Sequence, residues 1–358
     1  MRYFWVLIVC TGVLLASGLG RKYISYRYVL DEFDIDHSFI DNRSFQGFVQ
    51  EHEDRLRRFY HHTLKKRQDL ARLLRQKLLE DDLSDLFLYL SIVESGLKVD
   101  AVSSKEAAGL WQFMSRTASD YKLDIYGPID ERYDPVSATD AAIKHLRRLH
   151  RRFGKWYLAI LAYNCGEGRL SRAIARAGTD DLEILIDPQY GYLPKETTAY
   201  IQKILLIAMM GENEIMDFSV SDEDTDLIQV EVNGGTKLSD LARILQIPSK
   251  KLISLNPAYK KGVVPDESAR YPLLIPEAQM VRFYMRYEQE KEKPVTLKPY
   301  LVSHKVALGE TLDQIARSYT TTVEEITLAN QLKDTFLELN ATLLVPVDKE
   351  TFERILKK

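Results

Sequence analysis

The segment that ends at Glu94 constrains the fold of this chain more than any other. Apolar residues recur before it at the spacing of a helix with one buried face, at Leu83, Leu86, Phe87 and Leu90. Gly96 follows closely and is a natural helix end. The sequence therefore predicts a carboxyl group at the end of an apolar helix. Partial burial there raises the pKa of a carboxyl toward the range that suits a general acid.

The length and charge of the chain set its broad class. At 358 residues it is longer than one core usually serves, which predicts two or more domains. Its content of 45% hydrophobic and 28% charged residues is ordinary for a globular protein. The net charge of −3 gives no electrostatic case for nucleic acid as the main partner.

Residues 1–20 predict an export signal. Arg2 precedes an apolar run from Tyr3 to Ala16, and small residues follow the run. A spanning helix needs about 20 apolar residues, so this run is at the short end for one. We expect it to be either cleaved or retained as an anchor. Lipidation at Cys10 is disfavoured, because Val9 is bulky where lipoprotein signals carry a small residue.

Cysteine usage agrees with export. Beyond Cys10, the chain contains one cysteine, Cys165, so the mature protein has no intramolecular disulfide to form. Cys165 has no basic neighbour in sequence that would activate a thiolate, which favours a small buried residue over a nucleophile. The expected location is the cell envelope, in the periplasm, with membrane association through the N-terminus if the apolar run is retained.

Apolar periodicity predicts helices through the first two thirds of the chain. The expected helices run from Val49 to Leu83 (one or two), from Pro135 to Gly154, from Trp156 to Tyr163, and onward from Pro194. Ser137 precedes Asp140 at the spacing of a capping arrangement. His61 and His62 do not predict a metal site, because adjacent helical residues diverge and no carboxylate cluster accompanies them.

The last third of the chain contains an internal repeat. Six positions recur at an offset of 74 residues: Leu238, Leu241, Ala242, Leu245, Leu252 and Asn256 match Leu312, Ile315, Ala316, Tyr319, Ile326 and Asn330. Each copy ends in an apolar strand with proline and predicts the order strand, helix, helix, strand. In the second copy, Thr311…Gln314 and Thr322…Glu325 are predicted capping boxes. The first copy has four extra residues after its asparagine.

Four segments in order resemble the soluble-lytic-transglycosylase type of catalytic domain. They are Glu94-Ser95, Gly109-Leu110-Trp111-Gln112, Ala162-Tyr163-Asn164-Cys165-Gly166-Glu167-Gly168 and Glu196-Thr197-Thr198-Ala199-Tyr200. The likeness is closest to the membrane-bound lytic murein transglycosylase D group, whose fold is akin to goose-type lysozyme. The repeats resemble LysM modules, which bind glycans that contain N-acetylglucosamine. The second copy matches at His304-Lys305-Val306, Gly309-Glu310-Thr311-Leu312, Asn330 and Pro346, whereas the differences in the first copy count against glycan binding.

The resemblance implies a multidomain chain, with a mainly α lysozyme-like catalytic domain before two small α+β modules. The implied boundaries are 1–20 for the signal or anchor, 21–83 for an N-terminal helical region, 84–215 for the catalytic domain, 226–277 for a degenerate LysM-like module, 278–299 for a charged linker and 300–347 for a LysM module.

The resemblance also assigns roles at the site. Glu94 is the implied catalytic acid and base in non-hydrolytic cleavage of peptidoglycan between N-acetylmuramic acid and N-acetylglucosamine. The implied substrate-binding residues are Ser95, Gln112, Tyr163, Asn164 and Tyr200. Tyr200 is expected to steady the Glu94 carboxyl, and a stacking role for Trp111 stays open. The reaction implies no cofactor and no metal, and its partner is the glycan strand.

Two alternatives stay open at this point. A hydrolase on the same fold needs a second carboxylate, for which Asp130 and Asp134 are the nearest candidates in sequence. A non-catalytic cell-wall binding protein would need the repeats alone, but that hypothesis leaves the four ordered segments unexplained.

Overall fold

The computed structural model describes residues 18–214, 226–266, 270–288, 298–332, 335 and 337–356. The chain divides into two compact units, Met1–Phe283 and Tyr284–Lys358. The predicted export signal and the acidic stretch 221–224 lie outside the described residues, except that Gly18–Lys22 forms a short helix. Among the described residues, no helix is both long and apolar enough to cross a bilayer.

The first unit begins with a helical part. Its helices are α1 (Gly18–Lys22), α2 (Tyr26–Glu32), α3 (Arg43–Glu80), α4 (Leu88–Ser95), α5 (Ser115–Asp120), α6 (Pro135–Phe153), α7 (Trp156–Cys165), α8 (Glu167–Ala177), α9 (Leu182–Ile186) and α10 (Lys195–Asn213). Short 3-10 helices cover His37–Asp41, Asp85–Phe87 and Glu131–Tyr133. The predicted mainly helical class is confirmed.

Helix α10 is the centre of this part because it is apolar on nearly every side. Residues 204–210 are all fully buried, and α10 packs against α2, α3, α4 and α7. A helix that is hydrophobic all round belongs in a core. The same core includes side chains from α2 and α3, which precede the predicted catalytic boundary at residue 84. The boundaries drawn from sequence stay predictions.

The C-terminus of α4 lies where the sequence predicts it, whereas the N-terminus of α6 does not. Helix α4 ends where expected, because Gly96 adopts the left-handed conformation with φ 62°. The predicted cap at Ser137 is wrong. The cap of α6 is Asp134, whose carboxylate accepts a hydrogen bond from Ser137 N at 2.7 Å. Pro135 occupies the first turn, where its missing N–H costs nothing, so the helix begins before Ser137.

The first repeat belongs to the same unit as the helical part. It consists of β1 (Leu227–Asn233), α11 (Leu238–Leu245), α12 (Ser249–Leu255) and β2 (Arg270–Pro276). The strands pair antiparallel, with Leu227 opposite Pro276. Its longer tail contacts the helical part through the backbone: Asp130 N donates to Ala258 O at 3.0 Å, and Lys260 N donates to Pro128 O at 3.1 Å. A short helix α13 (Met280–Arg282) and a π-helix (Phe283–Glu288) follow.

The second unit contains the second repeat. It consists of β3 (Tyr300–Lys305), α14 (Leu312–Ser318), α15 (Val323–Asn330) and β4 (Thr342–Val347), followed by α16 (Lys349–Leu356). Both predicted capping boxes are present. The apolar side chains form a core of their own around Leu312, Ile315 and Ile326. The predicted order strand, helix, helix, strand is confirmed in both repeats.

Candidate active site

Glu94 lies on the last turn of α4, where α10 crosses it. Glu94 is half-buried as a whole residue, and Tyr200 Oη, from α10, donates a hydrogen bond to Glu94 Oε1 at 2.5 Å. The two residues are 106 positions apart in the chain, so the packing of α10 against α4 creates this pair. The predicted contact between Tyr200 and the carboxyl is therefore observed.

The surroundings of Glu94 favour the protonated carboxyl. Burial raises its pKa from 4.5 to about 7, and the negative charge of Glu196 acts in the same direction. The hydrogen bond from Tyr200 and the positive charge of Lys203 act in the opposite direction. Burial is the largest of these effects. A carboxyl with this pKa is available both as an acid and, after ionisation, as a base near neutral pH.

A tight loop from residue 101 to 113 is bonded to α4, which carries Glu94, and to α7, which carries Tyr163. Ser91 Oγ, on α4, donates to Leu110 O at 3.0 Å, and Tyr163 Oη, on α7, donates to Trp111 O at 2.7 Å. These bonds connect the loop to two helices of the core. Gly109 has φ +78°, and a Cβ there would lie 1.7 Å from Arg132 O, so no other residue fits.

Trp111 does not stack on a substrate. Its side chain is fully buried, and its Nε1 donates to Thr139 Oγ1 at 2.9 Å. The stacking role that the sequence left open is therefore excluded, because the ring is part of the core. Tyr163 lies close enough to Glu94 for the carboxylate charge to contribute to the raised pKa of its phenol, although burial is the larger cause.

Three of the predicted substrate-binding side chains bond to the protein itself. Ser95 Oγ donates to Ser91 O at 3.2 Å. Gln112 Nε2 donates to Gly109 O at 2.8 Å. Asn164 Oδ1 accepts from Thr197 Oγ1 at 2.8 Å. The structure thus brings Glu94, Tyr200 and Tyr163 together, and it shows local partners for Ser95, Gln112 and Asn164. Their roles toward a substrate stay predictions.

A cleft of about 650 Å³ opens at Glu94. Residues 93–96, Lys98 and Asp100 form one wall, and α3 supplies the other through Phe59, His62, Thr63, Lys66 and Arg67. Sequence reasoning missed this second wall. The α3 residues lie in a segment rich in charged residues, as many solvent-exposed helices are. No motif in that segment indicates that it contacts Glu94.

The two acids proposed for a hydrolase have structural partners. Asp130 Oδ2 accepts from Arg132 Nη2 at 2.9 Å, and both side chains are largely buried. Asp134 caps α6, and burial raises its pKa. Both carboxyls therefore hold the local backbone in place, and neither lines the cleft at Glu94.

Metal-ligating and thiol side chains have the following surroundings. Within the described parts of the chain, no cluster of three or more metal-ligating side chains is present. Cys165 is a free, half-buried thiol, and burial raises its pKa, which opposes the thiolate form. The predicted small packing residue agrees with this environment.

Three protein-family models match the chain, one in the helical part and one in each repeat. A family model described as the transglycosylase SLT domain matches residues 76–186, which include Glu94, the 109–112 loop and the glycine-rich segment after Tyr163. Residues 76–186 are a transglycosylase SLT domain. Residues 226–292 match the lytic transglycosylase MltD LysM-like domain, and residues 304–346 match the LysM domain. The recognition made from the sequence motifs is confirmed.

The chain is similar to three curated proteins, two of which are named lytic murein transglycosylases. The membrane-bound lytic murein transglycosylases D of Escherichia coli strain K12 and strain O6:H1 are each 27% identical to the chain over 273 residues, which cover 72% of it. The chain spans 58% of the length of these relatives. A putative tributyltin chloride resistance protein of Alteromonas sp. strain M-1 is 44% identical over 85 residues, or 24% of the chain and 41% of that protein.

Proposed function

We propose that the chain is a peptidoglycan lytic transglycosylase. It would cleave the β-1,4 bond between N-acetylmuramic acid and N-acetylglucosamine without water and leave 1,6-anhydro-muramic acid ends. The observation that carries this proposal is the Glu94 carboxyl, which lies in the matched SLT domain, accepts a hydrogen bond from Tyr200 of α10 and has its pKa raised to about 7.

One carboxyl can perform both proton transfers in this reaction. Protonated Glu94 gives its proton to the glycosidic oxygen as the bond to the muramoyl C1 breaks. The ionised carboxylate then takes the proton from the C6 hydroxyl while O6 bonds to C1 and closes the anhydro ring. Glu94 ends the cycle protonated, and no water is consumed. Tyr200 stabilises the carboxylate in between, because its hydroxyl donates to Glu94 Oε1.

The remaining predicted residues keep atoms free for the substrate. Thr197 occupies Asn164 Oδ1, so the amide Nδ2 is available to donate to a sugar. The amide nitrogen of Gln112 is bonded to Gly109 O, which leaves its Oε1 to accept. We propose that Tyr163 supports the substrate site near Glu94 from outside the cleft lining, and that Ser95, which is part of the lining, lies next to the reacting carboxyl.

The hydrolytic alternative requires a second carboxylate opposite Glu94. The two groups stand about 5–5.5 Å apart in retaining enzymes and about 6.5–9.5 Å apart in inverting ones. Asp130 is paired with Arg132, and Asp134 caps a helix. These engagements remove the two second carboxylates that the sequence offered, and Asp100 is the other carboxyl in the cleft lining. A purely glycan-binding protein would not need the raised pKa of Glu94 or its bond to Tyr200.

We further propose that the LysM domain holds the enzyme on its polymer. The expected partner is the peptidoglycan glycan strand, and the expected location is the cell envelope, on the periplasmic side. The E. coli relatives are named membrane-bound murein transglycosylases, which supports an envelope location. Membrane association would depend on residues 1–20, of which 1–17 lie outside the described structure.

Replacement of Glu94 tests the proposal. Glu94→Gln keeps the shape of the side chain but removes the proton transfers, which are typically worth about 10² to 10⁴ in rate. We expect the release of anhydro-muropeptides from sacculi to fall by at least that factor. Asp134→Asn is the matched control, because asparagine also caps helices well. Equal loss in the two variants, or near-normal activity of Glu94→Gln, would refute the assigned role.

A further inference from the structure

The α3 wall of the cleft carries a group of cations beside the reacting carboxyl. Lys66 and Arg67 lie on α3, and Lys98 lies opposite them in the segment after Glu94. At Arg67 the backbone angles, φ −138° and ψ 30°, are not helical, and α3 bends there. The cleft volume of about 650 Å³ lies within the range of about 300–1,000 Å³ that is usual for ligand pockets.

Several other basic residues of α3 are paired with acids, whereas, among the described residues, Lys66, Arg67 and Lys98 are not. Arg57 pairs with Glu53 and Glu214, Arg72 with Asp226, Arg75 with Asp85, and Lys77 with Asp140. Lys66, Arg67 and Lys98 form no ion pair with any residue in the described part of the chain. The neighbouring acid Asp69 directs an oxygen to Leu70 N at 2.8 Å, and the positive charge of Arg67 partly offsets the burial that raises the pKa of Asp69.

The charge balance of the cleft favours an anion. Besides the three cations, its lining includes two carboxyls, Asp100 and Glu94, and one histidine, His62. The raised pKa of Glu94 leaves that group partly uncharged near neutral pH. The lining therefore has an excess of positive charge, while the chain as a whole has a net charge of −3. Ammonium and guanidinium groups bind carboxylates through charge-assisted hydrogen bonds.

We propose that Lys66, Arg67 and Lys98 form a subsite for the carboxylates of the peptide stems on the glycan strand. The inference rests on the proposed function, since the stems are attached to the muramic acid residues that Glu94 would cleave. It assigns a binding role to α3 residues that precede the matched SLT domain. The subsite would favour strands that still carry anionic stems over strands whose stems are neutral.

The test compares two forms of one substrate. Soluble glycan tetramers with peptide stems are first acetylated on their amino groups, and half are then coupled to methylamine so that the stem carboxylates become neutral amides. The ratio of kcat/KM for the free-acid form to kcat/KM for the amidated form is measured for three full-length proteins. They are the wild type, Lys66→Gln/Lys98→Gln, and a control with the same charge change, Lys65→Gln/Lys105→Gln. Both control lysines are exposed and lie outside the cleft lining.

We expect the wild type to prefer the free-acid form by about tenfold at low salt, as two partly exposed charge pairs would give. The preference should fall toward one in Lys66→Gln/Lys98→Gln and persist in the control. Equal kcat/KM for both forms in the wild type, or the same ratio in all three proteins, would overturn the subsite while leaving the proposed function intact. Absence of anhydro products from both forms would refute the proposed function and this inference with it.

Discussion

At the scale of single residues, the proposed mechanism depends on the pKa of the Glu94 carboxyl and on its hydrogen bond from Tyr200. The sequence predicted that a carboxyl at the end of an apolar helix would be partly desolvated, and the structure agrees. Sequence reasoning could not supply the balance of effects. Burial and Glu196 raise the pKa of Glu94, while Tyr200 and Lys203 lower it, and three of these four contributions come from α10.

The Tyr200 hydrogen bond sets the direction of a pH prediction. Because Glu94 must be protonated to act as an acid, kcat/KM should decline as pH rises above about 7. Tyr200→Phe removes a bond that favours the ionised form, so the pKa of Glu94 should rise and the decline should move to higher pH. Tyr163→Phe is the control, since that hydroxyl donates to Trp111 O instead. Movement of the decline to lower pH in Tyr200→Phe would contradict the account.

At the scale of elements, the loop around Gly109 is bonded to α4 and α7, the helices that carry Glu94 and Tyr163. A Cβ at Gly109 would meet Arg132 O, a backbone atom that cannot rotate away. We expect Gly109→Ala to lower the free energy of unfolding by several kcal/mol and to abolish activity. Gly154→Ala is the matched control: Gly154 also has φ +78°, but nothing lies within 4 Å of its Cβ position. That variant should cost about 1–2 kcal/mol, the left-handed backbone penalty alone.

Urea unfolding of both variants measures the difference directly. If Gly109→Ala and Gly154→Ala lost equal stability, the close approach of Gly109 to Arg132 O would not be the reason for glycine at that position. The comparison separates steric contact from backbone conformation, because φ is the same at the two sites.

Local signals predicted elements well and long-range contacts poorly. Apolar spacing located the helices, and the boxes Thr311…Gln314 and Thr322…Glu325 fixed two helix starts. The capping prediction at Ser137 failed because Asp134 and Pro135 together supply a better start. The α3 wall of the cleft could not be predicted, since it depends on packing between segments about 30 residues apart whose exposed faces are simply charged.

At the scale of the whole chain, the two repeats differ in what surrounds them. The first repeat is bonded to the helical part through Ala258 and Lys260, which lie in its longer tail. The tail of the first repeat thus contacts the SLT domain. In the second repeat, which lies in the other compact unit, Glu310 accepts from Ala307 N and pairs with His304.

We expect the second repeat, which matches the LysM domain, to be the main peptidoglycan-binding part of the chain. A fragment covering 284–358 should be pulled down by insoluble sacculi nearly as well as the full chain, because it contains the LysM domain and its own core. A fragment covering 18–283 with Glu94→Gln should bind much more weakly. Strong binding by the longer fragment would show that the first repeat, or the cleft itself, provides the main attachment.

The central claim is that Glu94 transfers a proton twice and that water does not enter the reaction. Its most direct test is digestion of purified sacculi by the full chain in isotopically oxygen-labelled water, followed by mass spectrometry of the released muropeptides. We expect 1,6-anhydro-muramic acid ends without the label. Reducing muramic acid ends that contain labelled oxygen would contradict it and establish hydrolysis.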